Sequence, residues 1–217
     1  MPFPTTAVLD AFTRADTATT WGTNWTWLTD FGTVGQANFG VLTNQGYNGW
    51  ATGAQNYNLL YWNVSTFPSA SEAYVTVPVL VENVLGEGHF LYLRIQDINV
   101  GLETWDGYNV GVTWSATPAL ETWVVNRSDD AVDTQLGSSV TETFAAGDSF
   151  AVDAAGTRIR AWHKSGGVWT VVTSQTDATY GVGGYIGIYG PGETTPNTWR
   201  YDDFGGGQSV IPIFRGS

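Results

Sequence analysis

The chain is predicted to be all-β, a sandwich or barrel, on three observations. No stretch of a dozen or more residues keeps a 3.6-residue apolar period. Short alternating or apolar runs recur instead, each closed by Gly, Pro, Asn, Ser or Thr. About twelve such runs follow one another at close spacing, without a fixed repeat or a linker-like change of composition. One domain is therefore expected over 7–204, with an N-terminal arm at 1–6 and a Gly-hinged apolar tail at 205–217.

The predicted strands are, in order, Ala7–Arg14, Phe39–Thr43, Leu59–Asn63, Ala73–Val81, Phe90–Asp97 and Tyr108–Ser115. Glu121–Arg127, Phe150–Asp153, Arg158–Lys164, Val168–Gln175, Gly184–Tyr189 and Thr198–Phe204 complete the set. Ser165-Gly166-Gly167 between two runs reads as a hairpin turn. Pro78 lacks an N–H, so its strand should be an edge or carry a bulge. Alternation places Leu91, Leu93 and Ile95 on one face of their strand and Tyr92, Arg94 and Gln96 on the other. In the same way Ile159 and Ala161 oppose Arg158, Arg160, Trp162 and Lys164.

Composition excludes several classes of function. The chain has 217 residues, 42% of them apolar, so it can bury a core. It has no cysteine, which removes disulfides, thiolate nucleophiles and Cys-ligated zinc together. A net charge of −12 without any Lys/Arg cluster opposes nucleic acid and anionic lipid as partners. No apolar run is long enough to span a bilayer. The start, Met1 to Thr6, has neither a basic region nor an apolar stretch, so no secretion signal is expected, and a product made in the host cytoplasm would reach the outside in a complex or by lysis.

Three stretches share a known pattern. Asp10-Ala11-Phe12-Thr13-Arg14-Ala15-Asp16 is followed by Gly22 and Trp25. Gly147-Asp148-Ser149-Phe150 leads into Gly156-Thr157-Arg158-Ile159-Arg160-Ala161-Trp162. Thr176-Asp177-Ala178-Thr179-Tyr180, Gly183-Gly184-Tyr185-Ile186-Gly187-Ile188 and Tyr201-Asp202-Asp203-Phe204 close the chain. Together they resemble the concanavalin A-like (laminin G-like) jelly-roll domains found in phage structural proteins, with Trp21 standing where that family usually has Leu. The resemblance covers both ends and the last third of the chain. It implies a two-sheet antiparallel jelly roll with its first and last strands side by side, Phe12 and Phe204 as inward anchors, and Arg14 paired with Asp16, Asp202 or Asp203. It also admits a structural calcium held by Asp10, Asp202 or Asp203 with backbone carbonyls; no other cofactor is expected.

Catalytic constellations are absent from the sequence. The glucanase branch of this fold needs carboxylates about 5 Å apart on a bulged strand, in an E-x-D-x-x-E pattern. No two acidic residues here are separated by a single position. Glu103 and Asp106 flank Trp105 in a Gly-bounded stretch read as a loop, and Asp129, Asp130 and Asp133 read as a solvated turn. There is no H-E-x-x-H, G-x-S-x-G, Walker or dinucleotide motif, and His89 and His163 are the only histidines.

Aromatic residues carry what functional signal remains, because sugar C–H faces stack on Trp and Tyr while Arg, Asn, Asp and Gln bind hydroxyls. The sites expected on this basis are Trp105 and Tyr108 in the Gly-bounded loop, with Tyr92, Arg94 and Trp162 on polar strand faces. Trp25, Trp114 and Trp169 are expected in the core. The resemblance implies a non-catalytic virion protein, a minor tail, fibre or capsid decoration component, that adheres to host-surface glycan. Its partners would be other virion subunits, copies of itself and that glycan. The alternatives are a purely structural cement protein and a glycan hydrolase or lyase.

Overall fold

The computed structural model describes residues 3–17, 20–29, 37–50, 57–80, 88–99, 102, 104–114, 120–191 and 199–210. Sixteen strands and no helix are found among them. In chain order they are β1 Val8–Asp10, β2 Trp25–Thr29, β3 Ala37–Leu42, β4 Gln45–Trp50, β5 Tyr57–Trp62, β6 Ser71–Leu80, β7 Gly88–Asn99 and β8 Thr104–Trp114. They continue with β9 Glu121–Asp129, β10 Val132–Gln135, β11 Val140–Glu142, β12 Ser149–Ala155, β13 Arg158–Ser165, β14 Val168–Thr176, β15 Tyr185–Pro191 and β16 Trp199–Gln208.

These form two antiparallel sheets. The first has the order β14-β13-β12-β6-β16-β4-β3, with β1 also on β16; the second has β10-β9-β8-β7-β15-β5-β2, with β11 also on β9. Both contain strands distant in sequence, as a jelly roll requires. The terminal strands pair through Val8↔Gly205 and Asp10↔Phe204, and Phe12 and Phe204 are both fully buried, as the resemblance implies. Trp25 packs edge-on against Phe204 at 4.7 Å, and Trp21 is buried with its Nε1 donating to the Tyr47 carbonyl at 3.0 Å. The partner of Arg14 is Asp10 instead of the three carboxylates expected.

Of the two arrangements expected for the Pro78 strand, the bulge is the one found: β6 is interior, between β12 and β16, and Val79 faces Arg200 while Thr76 faces Asp202, so β6 carries one residue more than its neighbour there. Other elements differ from the sequence reading. Gly205, Gly206 and Gly207 lie within β16 and are no hinge. A side chain at Gly205 would collide with the Tyr74 ring, which lies against that strand. Trp169 is only half-buried and sits on the outer face of the first sheet. The side chain of Trp114, Glu103 and the tail 211–217 lie outside the described residues.

The main core fills the space between the sheets and includes Val75, Leu91, Val110, Trp123, Val152 and Ile188. His89 is buried in it, stacked on Trp199 at 3.6 Å with Nδ1 against the Tyr201 hydroxyl. Burial alone pushes its pKa well below the usual histidine value, so it is neutral in the folded protein. The unfolded chain binds that proton more readily. Stability should therefore hold above pH ~6.5 and fall below it, by about 1.4 kcal/mol per pH unit. Urea unfolding at successive pH values, with His89→Gln as the comparison, checks this: the variant should lose the part of the slope that His89 supplies.

Candidate functional site

Strand alternation gives the second sheet an outer face of unusual composition. On β7, Leu91 and Leu93 point into the main core, so Phe90 and Tyr92 point out. The register sets Tyr92 opposite Asn109, Asn109 opposite Asn126, and Ser128 opposite Asp133. On the other side Gly187 faces both Tyr92 and Tyr61, and Tyr189 faces Phe90. Polar side chains of β8, β9 and β10 thus adjoin a row of aromatic rings on β7, β15 and β5.

The polar half is one hydrogen-bonded network. Asn109 Nδ2 donates to Asp133 Oδ1 at 3.0 Å, and Asn126 Nδ2 donates to Asn109 Oδ1 at 2.9 Å and to Asp133 Oδ2 at 3.3 Å. The Ser128 hydroxyl also donates to Asp133 Oδ1, and it lies 3.4 Å from the Tyr92 hydroxyl. Desolvation raises the Asp133 pKa, opposed by these hydrogen bonds, which favour the carboxylate. Asn109, Asn126 and Ser128 are buried, while Asp133 is on an exposed strand. Its carboxylate also has the Tyr92 hydroxyl as a hydrogen-bond partner, which favours the charged form.

The aromatic half is layered. Tyr92 and Trp105 are buried with Leu28, Leu59 and Ile95, and half-buried Tyr61, Phe90, Tyr185 and Tyr189 pack against them. Trp105 meets Tyr92 at 6.1 Å and Tyr189 at 6.0 Å, and Tyr61 meets Tyr185 at 5.1 Å. Half-exposed rings beside a carboxylate and two amides can engage a sugar's C–H face and its hydroxyls together.

The five residues chosen from sequence are dispersed. Trp105 is not on an exposed loop: β8 begins at Thr104, and the indole is 1% exposed beneath Tyr189 and Tyr92. It is a floor for the rings above it, and its Nε1 finds no hydrogen-bond partner among the described residues. Tyr92 shares that face, but only its hydroxyl end touches the polar network.

Tyr108 points inward, donates to Asp177 Oδ1 at 2.6 Å and accepts the Tyr180 amide at 2.9 Å; burial and the Asp177 bond push its pKa up to about 12. Arg94 is fully buried, its guanidinium over the Tyr108 ring at 5.7 Å. A bulge between Leu93 and Gln96 explains both Arg94 and Ile95: it moves Ile95 to the outer cluster and turns Arg94 away from it. Trp162 lies on the other sheet, stacked under Phe3 at 4.3 Å and bonded through Nε1 to Asp153.

Asn109, Asn126, Ser128 and Asp133 were not singled out by sequence. The alternation Tyr108-Asn109-Val110 showed a polar position, but only the register joins it to Asp133, which reads as part of a turn. Of the three carboxylates expected for a structural calcium, Asp10 is engaged by nitrogen donors. Its carboxylate faces the Phe12 amide at 2.8 Å, the Trp25 Nε1 at 2.7 Å and Arg14, all N–H donors. Among the described residues no three His, Cys, Asp or Glu side chains are grouped to hold a metal.

No family model matches the chain. No curated protein matches its sequence. Solved structures do match its fold. The VIP36 exoplasmic/lumenal domain in its Ca2+/Man2-bound form aligns with a TM-score of 0.63 and 11% identity, covering 96% of this chain and 90% of that one. A legume lectin-like domain from Entamoeba histolytica gives 0.57 and 10%, covering 84% and 88%. The carbohydrate binding module CBM66 from Bacillus subtilis gives 0.52 and 13%, covering 84% and 94%. At these identities the likeness establishes the architecture: an all-β, two-sheet antiparallel sandwich of the lectin-like jelly-roll kind.

Proposed function

We propose that this protein is a non-catalytic glycan-binding module, and that it serves as a phage virion component, in the tail, a fibre or the capsid surface, adhering to host glycan. The observation that carries the binding reading is the outer face of the second sheet, where the Asp133–Asn109–Asn126–Ser128 network meets half-exposed Tyr61, Phe90, Tyr185 and Tyr189. Structural neighbours described as lectin-like and carbohydrate-binding support it. The virion setting is supported by the terminal motifs, from Asp10 to Asp16 and from Tyr201 to Phe204, that resemble those of phage structural proteins. The acidic charge of −12 favours neutral glycans over acidic polymers.

Binding of the purified protein to an array of neutral and envelope glycans tests the first part. Saturable binding is expected, weakened about tenfold or more in Asp133→Ala, a loss of ~1.4 kcal/mol. Binding that is absent, or untouched by Asp133→Ala and Tyr189→Ala alike, would reject this face. The virion setting is tested by mass spectrometry of purified particles, in which absence of the protein would overturn it.

A further inference from the structure

At the end of the sandwich where β1 meets the segment before β2, a cavity of about 200 Å³ opens beside Asp10, Arg14, Trp21 and Trp62. It lies away from the Asp133 face, on residues of the terminal motif. Its walls are fixed. Asp10 accepts the Phe12 amide at 2.8 Å and the Trp25 indole at 2.7 Å as well as Arg14, and Arg14 also donates to the Trp21 carbonyl. Gly22, with φ +104°, permits this: a Cβ there would stand 2.8 Å from Arg14 Nη1. The Thr23 and Asn24 carbonyls are fixed by Asn63, through its Nδ2 at 3.1 Å and its amide at 2.9 Å.

What lines the mouth is not committed. Among the described residues, the Arg14 Nε, the Thr23 hydroxyl and the Asn24 amide make no hydrogen bond, and Thr23 and Asn24 are exposed. Arg14, Thr23 and Asn24 thus line a space that the indoles of Trp21 and Trp62 also line. The two charges of the wall, Asp10 and Arg14, neutralise each other, so an ionic ligand gains nothing there. The volume equals that of roughly seven waters. It falls short of the ~300 Å³ at which drug-sized pockets begin, which leaves room for one small ring.

The geometry points to a second binding site in this cavity, for a single neutral sugar residue or cyclic polyol whose C–H edge meets Trp62 and whose hydroxyls meet Arg14, Thr23 and Asn24. Such a site would take the end of a glycan, and it stands independently of the Asp133 face.

The test is a titration of the protein with free neutral monosaccharides, followed by tryptophan fluorescence and by calorimetry. A saturable response at millimolar sugar is expected. It should weaken about tenfold in Asn24→Leu with Thr23→Val, two exposed changes that leave the core intact, and persist in Asp133→Ala. No saturable response in the wild type, or one unchanged in the Asn24/Thr23 variant, would overturn the site. If arrayed glycans bind but monosaccharides do not, this site fails and the Asp133 reading stands. If monosaccharides bind and no arrayed glycan does, the reverse holds.

Discussion

Replacing Arg94 with Met is expected to cost about 3 kcal/mol or more of folding stability while leaving glycan affinity of the folded fraction unchanged. Arg94 is fully buried, and no carboxylate among the described residues pairs with it. Its charge is spread over backbone carbonyls. Nε and Nη2 donate to the Ser69 carbonyl at 2.9 and 2.5 Å, Nη1 to that of Tyr180 at 2.6 Å, and Nη2 to that of Gly156 at 2.8 Å. One planar fork thus ties together three chain segments from 69 to 180, at the same end as the Tyr108–Asp177 bond. Methionine fills the volume but leaves the Ser69 and Tyr180 carbonyls without donors, at about 1–3 kcal/mol each. Gly156 is exposed, so water replaces its bond. For a domain of this size the loss lowers the melting midpoint by roughly 10 °C. Lysine restores little, because a point charge cannot serve three carbonyls in a plane. Thermal and urea unfolding of Arg94→Met and Arg94→Lys check the result. A variant with unchanged midpoint and lost glycan binding would make Arg94 a ligand contact after all.

That residue also shows where sequence reasoning stops. Periodicity identified the strand around Leu91 and Leu93, since two inward leucines at a spacing of two are a property of the local chain. The bulge that follows is not. Arg94 has φ +53°, a backbone position that propensity rarely assigns to arginine. It persists because carbonyls from distant segments receive the guanidinium. One extra residue reverses the faces, so Arg94 and Ile95 exchange the environments that alternation gives them. Trp105 fails for a related reason: a Gly-bounded Glu-Thr-Trp-Asp-Gly stretch has the composition of a loop, and only pairing with β7 makes it strand. Terminal pairing was legible, through Phe12 and Phe204, because the motif carries both partners. The Asp133 network was not, since its four residues are spread over three strands and each is ordinary alone.

Glu72→Ala is expected to release the N-terminal arm and to lose about 3 kcal/mol. Glu72 is fully buried on the outer side of the first sheet, opposite in the molecule to the Asp133 face, and it forms no ion pair among the described residues. Its neighbour across the ladder, Asp153, holds Arg160 through a bidentate pair at 2.9 and 2.6 Å, so that guanidinium is already taken. The Glu72 carboxylate is satisfied by the arm. Oε1 accepts the amides of Thr5 and Thr6 at 2.6 and 2.8 Å and the Thr6 hydroxyl at 2.8 Å, and Oε2 accepts the Thr5 hydroxyl at 3.0 Å. Phe3 completes the contact, flat on Trp162 at 4.3 Å and edge-on to Trp169 at 5.1 Å. Hydrogen bonds to a charged acceptor contribute about 1.5–3 kcal/mol each, but the four share one carboxylate and two residues, so they are lost together and do not add. A cycle of Glu72→Ala against the pair Thr5→Ala and Thr6→Ala separates this latch from ordinary packing. The hydroxyl bonds should couple to Glu72 by about 1–2 kcal/mol, and Glu72→Ala alone should redden the tryptophan emission as Trp162 and Trp169 meet water. Strictly additive variants with unchanged emission would mean that the arm is held by Phe3 and by the Tyr74 hydroxyl on the Thr6 carbonyl instead. Glycan binding should survive the change in either case, because the arm and the Asp133 network lie on different sheets.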